Sequence, residues 1–318
     1  MDIVAITDKG FVMPTGVMMY SACVNNPETD ITFHVIVDES VTQQEKDCLK
    51  GTVTKMGGKC TLLFYSVDSQ ISSSLPYHGR MDITKATYYR LFITEILPQT
   101  MKKVLYLDGD IIVRHSLQPL WDTDIQNYAI AAVTDYEEGK ISKYNRLKYP
   151  SSYGYFNAGV LLINLEFWRQ NHVIEDFTQL MSSRPEDIVA HDQDVLNYIF
   201  KDRKLTLPVK YNLQGGFLYQ KPCYEYMKYK KEVDEALKDP VIIHYTLRKP
   251  WDTPADNHPF SSTFYKYQSQ TIWNGQRTPD RRSRLIRLRR MIANVLRIFG
   301  ILPPIKPLFD YIEIPPID

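Results

Sequence analysis

A chain of 318 residues, 44% hydrophobic and 24% charged, suits one large α/β domain with an appendage and can build a sizeable core. The four cysteines (Cys23, Cys48, Cys60, Cys223) form no C-x-x-C pair and no metal-finger spacing, which argues against a disulfide scaffold and for a reducing, cytoplasmic setting. Net charge is +1, yet nine Lys or Arg against one acid (Asp280) lie between Arg277 and Lys306, leaving −7 for the remainder, so the tail is a separate electrostatic object.

In chain order, the opening "MDIVAITDKG" has no basic segment followed by an apolar run, so no signal peptide is expected. No stretch reaches the roughly 20 apolar residues of a membrane span. Runs rich in Val, Ile and aromatics predict strands at 3–7, 32–37, 61–67, 103–107 and 129–133. Between them, 13–26 and 41–58 carry helical signals, the second ending on a Gly pair, and 84–97 ("TKATYYRLFITEIL") predicts a third helix stopped before Pro98. Further helices are expected from about Glu166 and near Gln193, with a loop through Arg184 and Pro185 and a buried strand over 240–246. From about residue 255 regularity is lost and Pro and Ser rise. Strand–helix alternation at this spacing predicts an α/β fold with a mainly parallel sheet.

Ligands of such sheets gather at the carboxyl ends of the strands, and Asp8, Asp38, Asp108 and Asp135 all fall just past predicted strands. The stretch "KVLYLDGDIIV" (103–113) is the most informative. Aspartates two apart on extended chain point to the same side, and Gly109 between them lets a ligand approach the backbone. Two carboxylates side by side suit a hard divalent cation that bridges to phosphate oxygens. A solvated strand-end pair gives the same pattern, and a bare D-x-D does not decide between them.

Context decides. "ATYYRL" precedes the pair, and "HSLQPLWDTD", "YFNAGVLLINLEFW", "HDQDVLN" and "IIHYTLRKPW" follow it. In this order and spacing, over roughly residues 1–255, these segments resemble the retaining glycosyltransferases of family 8, which include bacterial lipopolysaccharide galactosyl- and glucosyltransferases and the glycogenins. The resemblance implies a single Rossmann-like domain of the GT-A type at 1–255, holding a UDP-hexose donor, with Mn²⁺ (or Mg²⁺) on the diphosphate. It implies Asp108, Asp110 and His244 as metal ligands, Asp108 also lying near the ribose. Ile6, Thr7 and Asp8 would flank the base, although Lys9 and Gly10 stand where relatives often have Asp and Asn. Arg90 and Lys249 would reach the donor, the loop around Lys249 being one residue shorter than the family pattern and lacking its glycine. Asn157, Ala158 and Gly159 would border the sugar, with the Asn157 amide on its hydroxyls.

Asp192 would bind donor hydroxyls, and Gln193 would sit beneath the anomeric carbon. Because a neutral amide is a poor nucleophile, front-face displacement is the preferred mechanism. A helix cap at Asp192, a helix-surface ion pair for Arg90 and a core-edge histidine at 244 are the bland alternatives to these roles. Rival functions are a sugar-nucleotide hydrolase and a binding protein without turnover.

The tail over 281–300 spaces Leu285, Leu288, Ile292, Val295, Leu296 and Phe299 as a helical stripe among arginines. Such a basic amphipathic helix, in the extension 256–318, is expected to lie on anionic membrane at the inner face of the cytoplasmic membrane, near a lipid-linked glycan acceptor. No nucleic-acid module accompanies the charge, so nucleic acid is not an expected partner.

Overall fold

The computed structural model describes residues 1–54, 59–67, 75, 85–218, 226–246, 249–251, 258–276 and 284–303. In order these form β1 (Asp2–Thr7), α1 (Val12–Val24), β2 (Ile31–Val37), α2 (Gln43–Thr54), β3 (Cys60–Ser66), β4 (Lys103–Leu107), β5 (Ile111–Val113), β6 (Ile130–Thr134), α3 (Ile141–Leu147), β7 (Phe156–Asn164), α4 (Val173–Ser183), α5 (His191–Phe200), β8 (Lys204–Leu207), β9 (Leu213–Gln214), α6 (Tyr226–Lys238), β10 (Ile242–His244), α7 (Ser261–Ser269) and α8 (Arg284–Ile298). Short helical turns fill several connections.

Seven strands make one sheet in the order β3-β2-β1-β4-β7-β6-β8, in which β7 alone runs against its neighbours. This is the α/β, mainly parallel sheet expected of the sequence. Alternation along each strand divides the core in two. Ile3, Ala5, Leu105 and Leu107 face α1 and α2, whereas Val4, Ile6, Val104 and Tyr106 face the layer that includes α4 and α5. Both faces are covered, which is why these strands read as near-continuous apolar runs. A second sheet, β5-β10-β9, stands at the carboxyl edge of the first. The chain leaves the large sheet at Leu107 and enters the small one at Ile111, so Asp108, Gly109 and Asp110 form the junction between the two.

Three expectations need correction. Residues 84–97 do not form an α-helix: Lys85–Phe92 is a 3₁₀ stretch, followed by one α-turn at Ile93–Ile96. Tyr88 to Phe92 are buried in succession, so the segment has no solvent face for an amphipathic α-helix, and its Thr and aromatic residues are weak helix formers. Residues beyond 255 are not all irregular either. Phe260, Phe264 and Tyr267 of the α7 region join the core, and Trp273 lies against Gly16 of α1. The helix expected near Gln193 begins at His191, with Ala190 as its cap, so Asp192 is not the capping residue.

Candidate functional site

A cavity of about 690 Å³ opens at the carboxyl edge of the large sheet. Its lining includes Ile6, Asp8, Arg90, Asp108, Gly109, Asp110, Asn157, Ala158, Gly159, Asp192, Gln193 and His244. Most arrive from strand ends, whereas Arg90 comes from the 3₁₀ stretch and Asp192 and Gln193 from the first turn of α5. Ile6 and Asp8 end β1, the acid pair ends β4, and His244 ends β10, paired with Ile111 just after the acids. The reversed β7 brings its first residues, Asn157 to Gly159, to the same edge. Thr7 does not line the cavity; it is buried, with its hydroxyl donating to Asp8 O at 3.2 Å. Lys249 reaches in by ion-pairing with Asp110 and donating to Tyr245 O at 2.7 Å. Leu247 and Arg248 lie outside the described residues.

One donor atom from each of Asp108, Asp110 and His244 lies within 4.8 Å of the others. His244 Nε2 is 3.2 Å from Asp110 Oδ1 and 3.6 Å from Asp108 Oδ2. Asp108 Oδ1 is occupied elsewhere, accepting from Tyr106 Oη at 2.7 Å and Arg90 Nη2 at 3.0 Å. Its second oxygen is thereby turned toward the imidazole.

Burial pushes the Asp108 carboxyl up, but Arg90, His244 and the Tyr106 hydroxyl outweigh it and hold the group below the usual carboxylate range. Burial lowers His244 to about 4, with Asp108 opposing, so the ring is neutral at pH 7. A neutral imidazole and two carboxylates converging through lone pairs call for a cation between them. Nitrogen and oxygen donors in this set fit a divalent metal. Gly159 closes the site from below: a Cβ there would lie 2.1 Å from His244 Cε1 and 2.8 Å from Asp108 Oδ2.

Arg90 lies nearly buried beside the acids. Its Nη1 donates to Ala158 O at 2.6 Å, and its guanidinium sits 4.4 Å from the Tyr106 ring centroid. Nε is 2.8 Å from Asp192 Oδ2, an ion pair outside hydrogen-bond angles. Burial works against the guanidinium charge, but Asp108 and Asp192 prevail and raise its pKa. Burial raises the Asp192 carboxyl to about 7, with Arg90 opposing and Asp108 adding to the rise. Gln193 is fixed at both ends. Its Oε1 accepts from Ala158 N at 3.0 Å and Asn157 Nδ2 at 3.2 Å, and its Nε2 donates to Asp135 Oδ2 at 3.2 Å and Tyr155 Oη at 3.3 Å.

The Asn157 amide is also used within the protein. Nδ2 donates to Asp135 and Gln193, while Oδ1 accepts from Gly159 N and Asn212 Nδ2. Asp194, two residues after Asp192, is withdrawn from the cavity: Arg146 holds both its oxygens, and Tyr155 Oη and Val189 N donate to it.

Tyr106, Asn212 and Tyr155 were not singled out from sequence. Tyr106 reaches Asp108 from two residues upstream in the same strand, a signal that was legible. Asn212 is 55 residues from Asn157, and nothing local marks it.

A family model described as glycosyl transferase family 8 matches residues 2–255. General stress protein A of Bacillus subtilis is 29% identical over 279 residues, covering 86% of this chain and 95% of that protein. A lipopolysaccharide 1,3-galactosyltransferase of Salmonella typhimurium is 29% identical over 283 residues, covering 84% and 77%. The crystal structure of galactosyltransferase LgtC in complex with donor and acceptor sugar analogues superposes with a TM-score of 0.76 at 26% identity, covering 86% of this chain and 96% of that one.

Proposed function

The chain belongs to glycosyl transferase family 8 and is a glycosyltransferase, and from that premise we propose that it moves galactose or glucose from a UDP-sugar, with retention, to a glycan or lipid-linked glycan. The observation that carries the reading is the convergence of Asp108, Asp110 and His244 at the floor of a cavity flanked by two cations, Arg90 and Lys249. An imidazole in the donor set favours Mn²⁺ over Mg²⁺. When bound, the ion supplies Lewis-acid neutralisation of the diphosphate.

This chain's own residues do the rest. Ile6 and Asp8, at the end of β1, flank the base. Arg90, fixed on Asp108 and Asp192, stays protonated and offers a positive field to the departing diphosphate. Lys249 moves from Asp110 to a phosphate oxygen when the donor binds. Asp192, with a pKa near neutrality, both donates to and accepts from sugar hydroxyls. Both acceptor positions of Gln193 Oε1 are taken by N–H donors, so a covalent role would require breaking two hydrogen bonds. That supports front-face displacement. The acceptor oxygen bonds to the anomeric carbon on the face from which the phosphate oxygen leaves, and its proton passes to that oxygen.

The acceptor side has a second support. Helix α8 exposes Leu288, Met291, Ile292, Val295 and Ile298 together with Arg289, a surface suited to anionic lipid. Among the described residues no helix is long and apolar enough to cross a membrane.

Mass spectrometry tests the proposal: purified protein meets UDP-galactose, UDP-glucose, UDP-N-acetylglucosamine and GDP-mannose with Mn²⁺ or with EDTA. Metal-dependent cleavage of one UDP-hexose, lost in Asp110→Ala, is expected. Free sugar with no transfer to any acceptor would point to a hydrolase. Absence of UDP-sugar binding even with Mn²⁺ would overturn the donor site.

A further inference from the structure

His244 Nδ1 lies 2.9 Å from Asn212 Oδ1, and both side chains are buried. Asn212 Nδ2 donates to Asn157 Oδ1 at 2.9 Å, and Asn157 Nδ2 reaches Asp135 Oδ2 at 3.2 Å. The four groups form one continuous chain from the end of β6 to the candidate metal site. Its direction follows from two groups whose roles are fixed by chemistry. Gly159 N–H can only donate, and it meets Asn157 Oδ1 at 3.0 Å. At the far end the Asp135 carboxylate, ion-paired with Lys143 at 3.2 Å, accepts.

The Asn157 amide therefore has its oxygen toward Gly159 and Asn212. That oxygen requires a donor from Asn212, so the Asn212 oxygen faces His244. The ring must then carry its proton on Nδ1, and the Nε2 lone pair faces Asp108 and Asp110. Reversing either amide would set an N–H against the Gly159 N–H, or oxygen against oxygen.

We propose that Asn212 is a positioning residue that, through an amide chain polarised by Gly159 N–H and Asp135, fixes the His244 tautomer and ring orientation needed to ligate a divalent metal. The inference rests on the metal reading given above. It assigns Asn157 to the same chain rather than to the sugar hydroxyls. Outer partners of this kind change metal affinity about 10–100-fold when removed. Asn212 touches neither the metal position nor the cavity, being fully buried behind the imidazole.

Two measurements test it. The first is a Mn²⁺ titration in the presence of UDP, with free Mn²⁺ read by electron paramagnetic resonance. The wild type is compared with Asn212→Leu, Asn212→Asp and His244→Ala. Asn212→Leu keeps the volume but removes the acceptor, and its Mn²⁺ affinity is expected to fall about 10–100-fold. Asn212→Asp, as the buried acid, accepts from Nδ1–H with one oxygen and donates its O–H to Asn157 Oδ1 with the other, and is expected to stay within a few-fold of wild type. Weak binding in His244→Ala together with wild-type binding in Asn212→Leu overturns this proposal alone. Wild-type binding in His244→Ala overturns the metal reading with it.

The second measurement needs no folded variant of Asn212. Long-range proton–nitrogen correlation on ¹⁵N-histidine-labelled wild-type protein reports the tautomer of the ring whose signals vanish in His244→Ala. A protonated Nδ1 and an unprotonated Nε2 are expected, and a protonated Nε2 refutes the assignment.

Discussion

Replacing Gly159 by alanine adds one methyl group at the closest approach of strand β7 to the candidate metal ligands. The new Cβ would lie 2.1 Å from His244 Cε1, 2.8 Å from His244 Nδ1 and 2.8 Å from Asp108 Oδ2. Contact with the imidazole carbon is more than an ångström short of van der Waals separation. Neither neighbour yields easily. His244 is pinned by Asn212 and by its place in β10, and Asp108 by Tyr106 and Arg90. Overpacking of this kind costs about 1–3 kcal/mol of stability.

The functional loss is larger, because metal ligands tolerate displacements of only about 0.2 Å. Mn²⁺ affinity in the presence of UDP should fall by more than about 100-fold, beyond the loss from one outer partner. Calorimetric titration with Mn²⁺, alongside urea unfolding, separates the two effects. Gly51→Ala in α2 is the control: a Cβ there meets nothing within 4 Å, and about 1 kcal/mol of added stability is expected without change in metal binding. Metal affinity and turnover within three-fold of wild type in Gly159→Ala would show that His244 and Asp108 are not held where the geometry has them.

Other consequences are as open to measurement. Burial lowers His244 to about 4 from a usual 6.5, so below pH 6.5 the unfolded chain takes up a proton the folded chain refuses. Stability is thus present above pH 6.5 and lost as pH falls toward 4. Urea unfolding of the metal-free wild type should weaken by about 3 kcal/mol relative to His244→Gln over that range, and a pH-independent difference refutes the assignment. Lys249 competes with a metal for Asp110, so Lys249→Ala should bind Mn²⁺ alone more tightly but UDP with Mn²⁺ more weakly; weakening of both would deny the competition. Ile298→Asp with Phe299→Asp, at two exposed positions closing α8, should reduce co-sedimentation with anionic vesicles several-fold while leaving free-sugar transfer intact. Equal binding to neutral and anionic vesicles by the wild type would remove the electrostatic part of that reading.

How much of this was readable in the chain itself differs by feature. Strands β1, β2, β4 and β6 were legible because burial on both faces writes continuous Val, Ile and aromatic runs, whereas the half-exposed edge strand β3 was legible from its Leu, Phe and Tyr content. Asp108, Asp110 and His244 were legible because each sits at a strand end with its chemistry in the local motif. Direction was not: "FNAGVLLIN" is equally apolar whichever way it runs, and only its pairing with β4 and β6 reveals the reversal. The 84–97 segment misled because aromatic spacing resembles a helix, while its near-complete burial shows only in three dimensions. Asn157 looked like a sugar ligand because it precedes two small residues. It does line the cavity, and its amide also bonds within the protein to Asp135, Gln193 and Asn212, which lie 22, 36 and 55 residues away.

The reversed strand has a further consequence. Asn157, Ala158 and Gly159 lie within strand β7 rather than in a loop beyond it: Asp108 N–H bonds directly to Gly159 O at 2.8 Å, and the side-chain oxygens of Gln193 and Asn157 accept from Ala158 N and Gly159 N. Amide hydrogens in such a central strand exchange with solvent only when the whole domain opens. The floor beneath the donor is consequently rigid before any ligand arrives, and little conformational entropy is lost there on binding. Preorganisation of the floor leaves adaptation to a particular sugar and acceptor to the walls, so substitutions that retune specificity should cluster at the cavity rim and spare β7.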